Sequence, residues 1–356
     1  MSEQFTRSNK VLDNHCHICF AQNIEESLSD YEKLFSELSI SEAGLLSCPD
    51  ADHCENGFDP TENIKVLYLK SRLSIPVYAY ASFTWHFDEP APYGDFAKEM
   101  LKMGFDGFKS LTQHPRSRKN LGKGLSHPSF AGFFKVLDES GSTIVCHVGD
   151  PKSSWDISTA SKSAIELGRV YGEGFLSLEE LYGEMERVYK TYRNVNFILA
   201  HFYFMSGDIN RVEKLLWDNS NVYLDLTPGG EMYVNFTKDP VKWREFFIKH
   251  QDRIILGSDN YAKGYGKGRY ALARNFLEGS EPFPYSGGGE IIPISLPNDA
   301  LKNICSGNVK RLIGNTPKEI DRKAAYEHCL FIKENLFDKL SPIQRENLDI
   351  ITRHFK

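Results

Sequence analysis

The sequence has no apolar run near the roughly 20 residues that a helix needs to cross a bilayer, and its mean hydropathy is −0.41. A membrane-spanning protein is not expected. The opening residues, Met1-Ser2-Glu3-Gln4-Phe5-Thr6-Arg7, lack the apolar stretch of a secretory leader. An excess of positive charge is also missing: 42 Lys and Arg stand against 48 Asp and Glu, for a formal charge of −6. That argues against a nucleic-acid partner held by bulk charge. Cysteine is scarce, with seven scattered residues (Cys16, Cys19, Cys48, Cys54, Cys146, Cys305 and Cys329). An odd, dispersed set reads as reduced thiols of a cytoplasmic protein, not a disulfide framework. Cys48 and Cys54 flank His53, but their spacing fits no standard zinc pattern. There is no Gly-x-Ser-x-Gly elbow, no P-loop, and no Gly-x-Gly-x-x-Gly after the first strand. Serine hydrolase, nucleotide kinase and dinucleotide-binding readings are all disfavoured.

What remains is ordinary for a globular chain of 356 residues: 41% hydrophobic, 25% charged and 13% aromatic, with 24 Phe and 17 Tyr. Short apolar runs predict eight strands, at Lys10–His15, Ala43–Ser47, Pro76–Phe83, Gly107–Leu111, Ser142–His147, Val195–His201, Asn221–Leu226 and Arg253–Ser258. Several are apolar throughout, as strands covered on both faces should be. Helical stripes alternate with them. These are Ile24–Leu38, Tyr93–Met103, Ser129–Glu139, Leu178–Tyr192, Asp208–Trp217, Val241–His250 and Asp299–Ile313. Eight βα repeats predict a (β/α)8 TIM barrel over residues 1–314, followed by a C-terminal helical extension over 315–356. Ser286–Gly289 reads as a plain surface turn after strand eight.

A barrel of this kind works at the C-terminal ends of its strands. Strand one ends Asp13-Asn14-His15-Cys16-His17, strand five in His147, strand six in His201 and strand eight in Gly257-Ser258-Asp259. The His-x-His period places both imidazoles on one face and turns Cys16 away. One histidine closing a strand is commonly structural. Four histidines and an aspartate closing four strands point to convergence on a metal-type site. His53, His127, His250, His328 and His354 have no such placement and read as surface or structural residues.

These positions, in this strand order, resemble the amidohydrolase superfamily and its amidohydrolase-2 branch. Asn221-Val222-Tyr223-Leu224-Asp225 and the late segment Ile304–Gly314 add to the resemblance, which spans about residues 10–314. The resemblance implies one divalent ion, zinc or manganese, held by His15, His17, His147 and Asp259. His201 would sit beside it as a catalytic group and Asp259 would also handle a proton. A bound cation lowers the pKa of coordinated water toward neutrality. Lys109, on strand four, would either meet an anionic substrate group or, if carboxylated, bridge to a second metal. Basic and aromatic residues on the same rim are candidate contacts for a small anionic substrate: Trp85, His86, His114, Arg116, Arg118 and Tyr261. The expected activity is metal-dependent hydrolysis of a small carboxylate-bearing ester, lactone or amide. Alternatives are non-oxidative decarboxylation, which the branch also contains, binuclear phosphoester hydrolysis, and ligand binding without turnover. The tail from Pro317 to Lys356 is expected either to cover the barrel's side or to support a homo-oligomer contact. The length beyond the about 250 residues of a plain barrel falls after strand five, after strand eight and in this tail. It points to a substrate-shaping lid.

Overall fold

The structure is a computed structural model that describes residues 10–18, 22–49, 59–83, 93–263 and 266–356. Its strands are β1 (Leu12–His17), β2 (Glu42–Leu46), β3 (Val77–Ala81), β4 (Gly107–Gln113), β5 (Thr143–Val148), β6 (Asn196–Leu199), β7 (Val222–Asp225), β8 (Ile254–Ile255) and β9 (Asn260–Tyr261). All nine pair in parallel, in the order β8-β7-β6-β5-β4-β3-β2-β1-β9. The two ends of this list belong to one stretch of chain. β8 pairs with β7, and five residues later β9 pairs with β1 through Cys16–Asn260 and His17–Tyr261. Residues 254–261 therefore form a broken eighth stave, and the sheet closes into the expected TIM barrel. Gly257 lies in the break, because a Cβ there would stand 2.5 Å from Thr227 Oγ1 and 2.8 Å from His15 Cβ.

Two apolar layers hold the barrel. The inner one comprises Leu12, Leu46, Tyr78, Tyr80, Val145, Ile198, Ala200 and Ile255, capped by Val309 and Ile313 from the helix Asn308–Ile313. The outer one lies between strands and helices and includes Cys16, Ala43, Leu45, Phe108, Ile144, Cys146, Phe197 and Leu224. Leu12 is inside and Cys16 outside, although an unbroken strand would place them on the same face. The register of β1 against β2 shifts between Asp13 and Cys16. That irregularity reverses the alternation, and bulges of this kind re-aim side chains beside active sites.

The helical stripes appear within a residue or two of their expected bounds, for example Ile24–Glu37, Tyr93–Met103, Leu178–Thr191 and Ile209–Asp218. A helix at Glu62–Arg72 was not expected. Residues 62–69 are all buried, so no polar face marks it in the sequence. The C-terminal segment forms two helices, Arg322–Asn335 and Pro342–Phe355. They lie against the barrel's own helices: Asn347 Oδ1 accepts from Ile24 N at 2.8 Å, and Ser71 Oγ meets His354 Nε2 at 2.9 Å. Ser286–Gly289 turns a two-stranded ribbon, Phe283–Pro284 against Glu290–Ile291. No helix among the described residues is long and apolar enough to cross a membrane.

Candidate metal centre

His15 is buried at the end of β1. Its Nδ1 lies 2.7 Å from Asp225 Oδ2, on the end of β7. A carboxylate only accepts, so the proton sits on Nδ1 and Nε2 presents a lone pair. Around that lone pair stand His17 Nε2 at 3.1 Å, Lys109 Nζ at 3.2 Å and Asp259 Oδ1 at 3.9 Å. His17 Nε2 is in turn 3.2 Å from Asp259 Oδ1. Tetrahedral bonds of about 2.0–2.2 Å place neighbouring donor atoms about 3.3–3.6 Å apart. The three donors of His15, His17 and Asp259 approximate one such face. The Lys109 ammonium already stands on the His15 lone pair, so the site presents that lone pair to a cation.

Burial pushes the His15 imidazole well below its ordinary pKa, and the nearby Lys109 and His17 charges push it further. Burial also lowers His17, against the pull of Asp259. Neutral imidazoles suit metal ligation. Burial opposes charge on Asp259, but its contact with His17 and the Arg269 guanidinium on Oδ2 outweigh that. They hold the carboxyl well below the usual range. His17 is stacked on Tyr261, with ring centroids 5.3 Å apart, and its Nδ1 lies 3.5 Å from Cys48 Sγ.

His201 follows β6 on a left-handed turn: His201, Phe202, Tyr203 and Phe204 have φ of 57°, 54°, 55° and 50°. Each such residue costs about 1–2 kcal/mol, and strain of this kind concentrates at functional sites. Gly229 leaves room for the turn, since a Cβ there would lie 2.8 Å from His201 Cβ. His201 Nδ1 faces the Thr227 carbonyl at 3.2 Å, so Nδ1 carries the proton and Nε2 accepts. Burial, helped by His147, lowers this imidazole to about 4.

The structure thus gathers His15, His17, Lys109, His201 and Asp259. His147 lies beside them, its ring 4.7 Å from that of His201. Its Nε2, however, groups with His114 and Asp150 and not with the His15 set. His114 closes β4 and is buried, with Nε2 3.4 Å from Asp150 Oδ2. Arg118 is held in a bidentate pair with Glu184 at 2.9 and 2.8 Å, and Glu184 also accepts from Gln113 Nε2 at 3.0 Å. Arg116 Nη1 reaches the Leu167 carbonyl at 3.4 Å. Trp85 and His86 lie outside the described residues, as do His53 and Cys54.

Sequence reasoning gives no role to Asp225 or Asp150. Asp225 ends the strand-seven segment Asn221–Asp225, but its partner His15 lies 210 residues away. Asp150 comes three residues after His147, a spacing that carries no signal on its own.

No protein-family model matches the chain, and no curated protein is similar to it in sequence. Solved structures do share its fold. An amidohydrolase II is 16% identical with a TM-score of 0.53, over 85% of this chain and 99% of that one. The 5-carboxyvanillate decarboxylase of Sphingomonas paucimobilis is 10% identical with a TM-score of 0.51, over 86% of this chain and 99% of that one. The 4-oxalomesaconate hydratase of Rhodopseudomonas palustris is 12% identical with a TM-score of 0.51, over 92% of this chain and 99% of that one. At these identities the likeness is one of fold. The barrel is the one that the resemblance in the sequence led us to expect.

Proposed function

We propose that this chain is a metal-dependent enzyme of the amidohydrolase superfamily, acting as a hydrolase on a small carboxylate-bearing ester, lactone or amide. The observation that carries the reading is the convergence of the His15, His17 and Asp259 donors, with Asp225 fixing the His15 lone pair inward. These three residues would hold a divalent ion, zinc or manganese. Such an ion, when bound, polarises a carbonyl oxygen and lowers the pKa of water toward neutrality.

The chain's own groups divide the remaining work. His201 is neutral, and its accepting Nε2 is the group placed to take a proton from attacking water. Asp259 is held ionised by His17 and Arg269, which makes it a ligand first and a weak base at neutral pH. Lys109 stands beside His15 as the cation nearest an anionic substrate group. Tyr261, against His17, forms one wall for the substrate. In this reading Arg118 is a structural residue, because Glu184 saturates its fork.

Non-oxidative decarboxylation is the competing reading, favoured by the same donor set and by the fold shared with 5-carboxyvanillate decarboxylase. The deciding experiment starts from metal-stripped protein reloaded with zinc or manganese and screened on lactones, amides and aromatic acids in H2(18)O. Label in the product, dependent on metal, supports hydrolysis. Carbon dioxide release without label supports the decarboxylase. Turnover of either kind that survives complete metal removal refutes both.

A further inference from the structure

The paired ends of β4 and β5 carry a second set of donor atoms. Gln113 and Val148 are in register, and Gly149 N donates to Gln113 O at 3.0 Å. This pairing brings His114, the residue after β4, next to His147 and Asp150 at the end of β5. The two imidazoles lie 5.1 Å apart, edge to face. Asp150 offers one oxygen to each ring: Oδ2 is 3.4 Å from His114 Nε2, and Oδ1 is 3.6 Å from His147 Nε2. All three donor atoms lie within 4.8 Å of one another.

A simple histidine–aspartate pair would draw nitrogen and oxygen to about 2.7–3.2 Å. Here both separations are longer, and His147 Nε2 is buried without any hydrogen-bond partner. A buried ring nitrogen left without a hydrogen bond needs an explanation. The separations match the about 3.3–3.6 Å edge of a tetrahedral cage of nitrogen and oxygen ligands. Asp150 is itself buried, and the Tyr171 hydroxyl donates to its Oδ2. That is the kind of outer contact that orients a ligating carboxylate. Tyr171 comes from the segment that follows β5, and its ring packs on Trp155 and Phe175.

We propose that His114, His147 and Asp150 form a second divalent-cation site, distinct from the His15, His17 and Asp259 site. It selects a borderline ion such as zinc, since two imidazoles and one carboxylate are its donors. It assigns His147 Nε2 to this ion and needs no carboxylated Lys109. Through Tyr171 the ion fastens the segment after β5 to the barrel rim.

The test is zinc content. Full-length protein is stripped with chelator, reloaded with zinc, freed of excess by gel filtration, and analysed for zinc per chain by mass spectrometry. Two ions per wild-type chain are expected, falling to one in His114→Gln, one in Asp150→Asn and one in His17→Ala. The near-isosteric changes keep the fold, which circular dichroism checks. One ion in the wild type that survives His114→Gln and is lost in His17→Ala overturns the second site and leaves the proposed function standing. One ion lost in His114→Gln but kept in His17→Ala does the reverse. Two ions retained in both His114→Gln and Asp150→Asn place the second ion elsewhere and overturn the proposal. No zinc at all overturns the second site, and no metal after a parallel manganese reload overturns the proposed function as well.

Discussion

Asp225→Asn changes no volume but asks one oxygen to do the work of two. The Asp225 Oδ2 accepts from His15 Nδ1 at 2.7 Å, while Oδ1 accepts from the backbone N–H of His201 at 2.8 Å and of Thr227 at 3.2 Å. An amide can turn its oxygen toward His15 or toward the backbone. The first choice sets its NH2 against two buried backbone donors, at about 1–3 kcal/mol for each left unsatisfied. The second keeps both backbone bonds and confronts only His15 Nδ1–H. His15 can escape that conflict by moving its proton to Nε2, because an imidazole has two neutral tautomers. The lone pair that faced His17 and Asp259 is then gone. Loss of the outer partner of a ligating histidine weakens metal binding about 10–100-fold, or about 1.4–2.7 kcal/mol. The assay is a zinc competition titration of stripped protein against a chromophoric chelator. Imidazole nitrogen NMR reads the His15 tautomer in parallel. A zinc dissociation constant within threefold of wild type, or an unmoved Nδ1–H tautomer, would refute the reasoning.

Arg269→Ala removes the guanidinium from Asp259 Oδ2. Asp259 has a depressed pKa, so losing this cation raises it, and activity needing the carboxylate fades at a higher pH on acidification. The acid limb of kcat/KM should therefore move upward; a limb that stays in place refutes the coupling. Arg118→Ala should leave KM unchanged and cost about 1–2 kcal/mol of stability at pH 7. Burial opposes ionisation of Glu184, but the bonds from Arg118 and Gln113 lower its pKa below the ordinary value. The pair's contribution is thus fully present above the ordinary Glu pKa and lost as pH falls through the folded value. Urea melts of the two proteins should converge in acid, and a raised KM without a stability loss would return Arg118 to the substrate. Burial pushes the Cys146 and Cys329 thiols up to about 12. Iodoacetamide at pH 8 should leave both unlabelled in folded protein and label both after denaturation. Rapid labelling of native Cys146 would contradict its placement in the outer core layer.

The barrel was legible because both faces of its strands are covered, and covered strands leave apolar runs that survive without any knowledge of neighbours. Glu62–Arg72 was not legible for the opposite reason. Helices Arg322–Asn335 and Pro342–Phe355 lie against the barrel side, and the Tyr68 ring packs on that of His354 at 4.9 Å. A helix covered on every side loses its stripe, and its cover lies almost 300 residues away. The candidate ligands were legible by position, since a residue type at a strand end is a local observation. Their division between two groups was not. Whether His147 Nε2 turns to His15 or to His114 depends on Asp150 and on the β4–β5 pairing, which no spacing within β5 reports. His201 shows the same limit. The sequence marks its place after β6, but its tautomer is set by the Thr227 carbonyl, and so the structure makes it a proton acceptor.

The first site also lies on the seam that closes the barrel, and this ties its geometry to the fold. Asp259, in the break of the eighth stave, has a left-handed φ of 60° and donates its N–H to the His15 carbonyl at 2.8 Å. Its neighbours Ser258 and Asn260 are both fixed by Asp13. Asp13 Oδ1 accepts from Ser258 N at 3.0 Å, and Oδ2 accepts from the Ser258 hydroxyl and from Asn260 Nδ2 at 3.3 Å. Burial raises the Asp13 carboxyl to about 6 despite these bonds, so it is a buried group kept for what it holds. A non-glycine residue stays in a left-handed conformation only where its surroundings over-determine it, and here Asp13 on β1 supplies that constraint. His15 and Asp13 belong to the same strand, so the clamp sets the spacing between the histidine pair and Asp259. Replacing the Asp13 side chain should therefore register first as loss of metal binding and only then as loss of the barrel, since the β7–β8 and β1–β2 pairings are backbone ladders that this side chain does not enter.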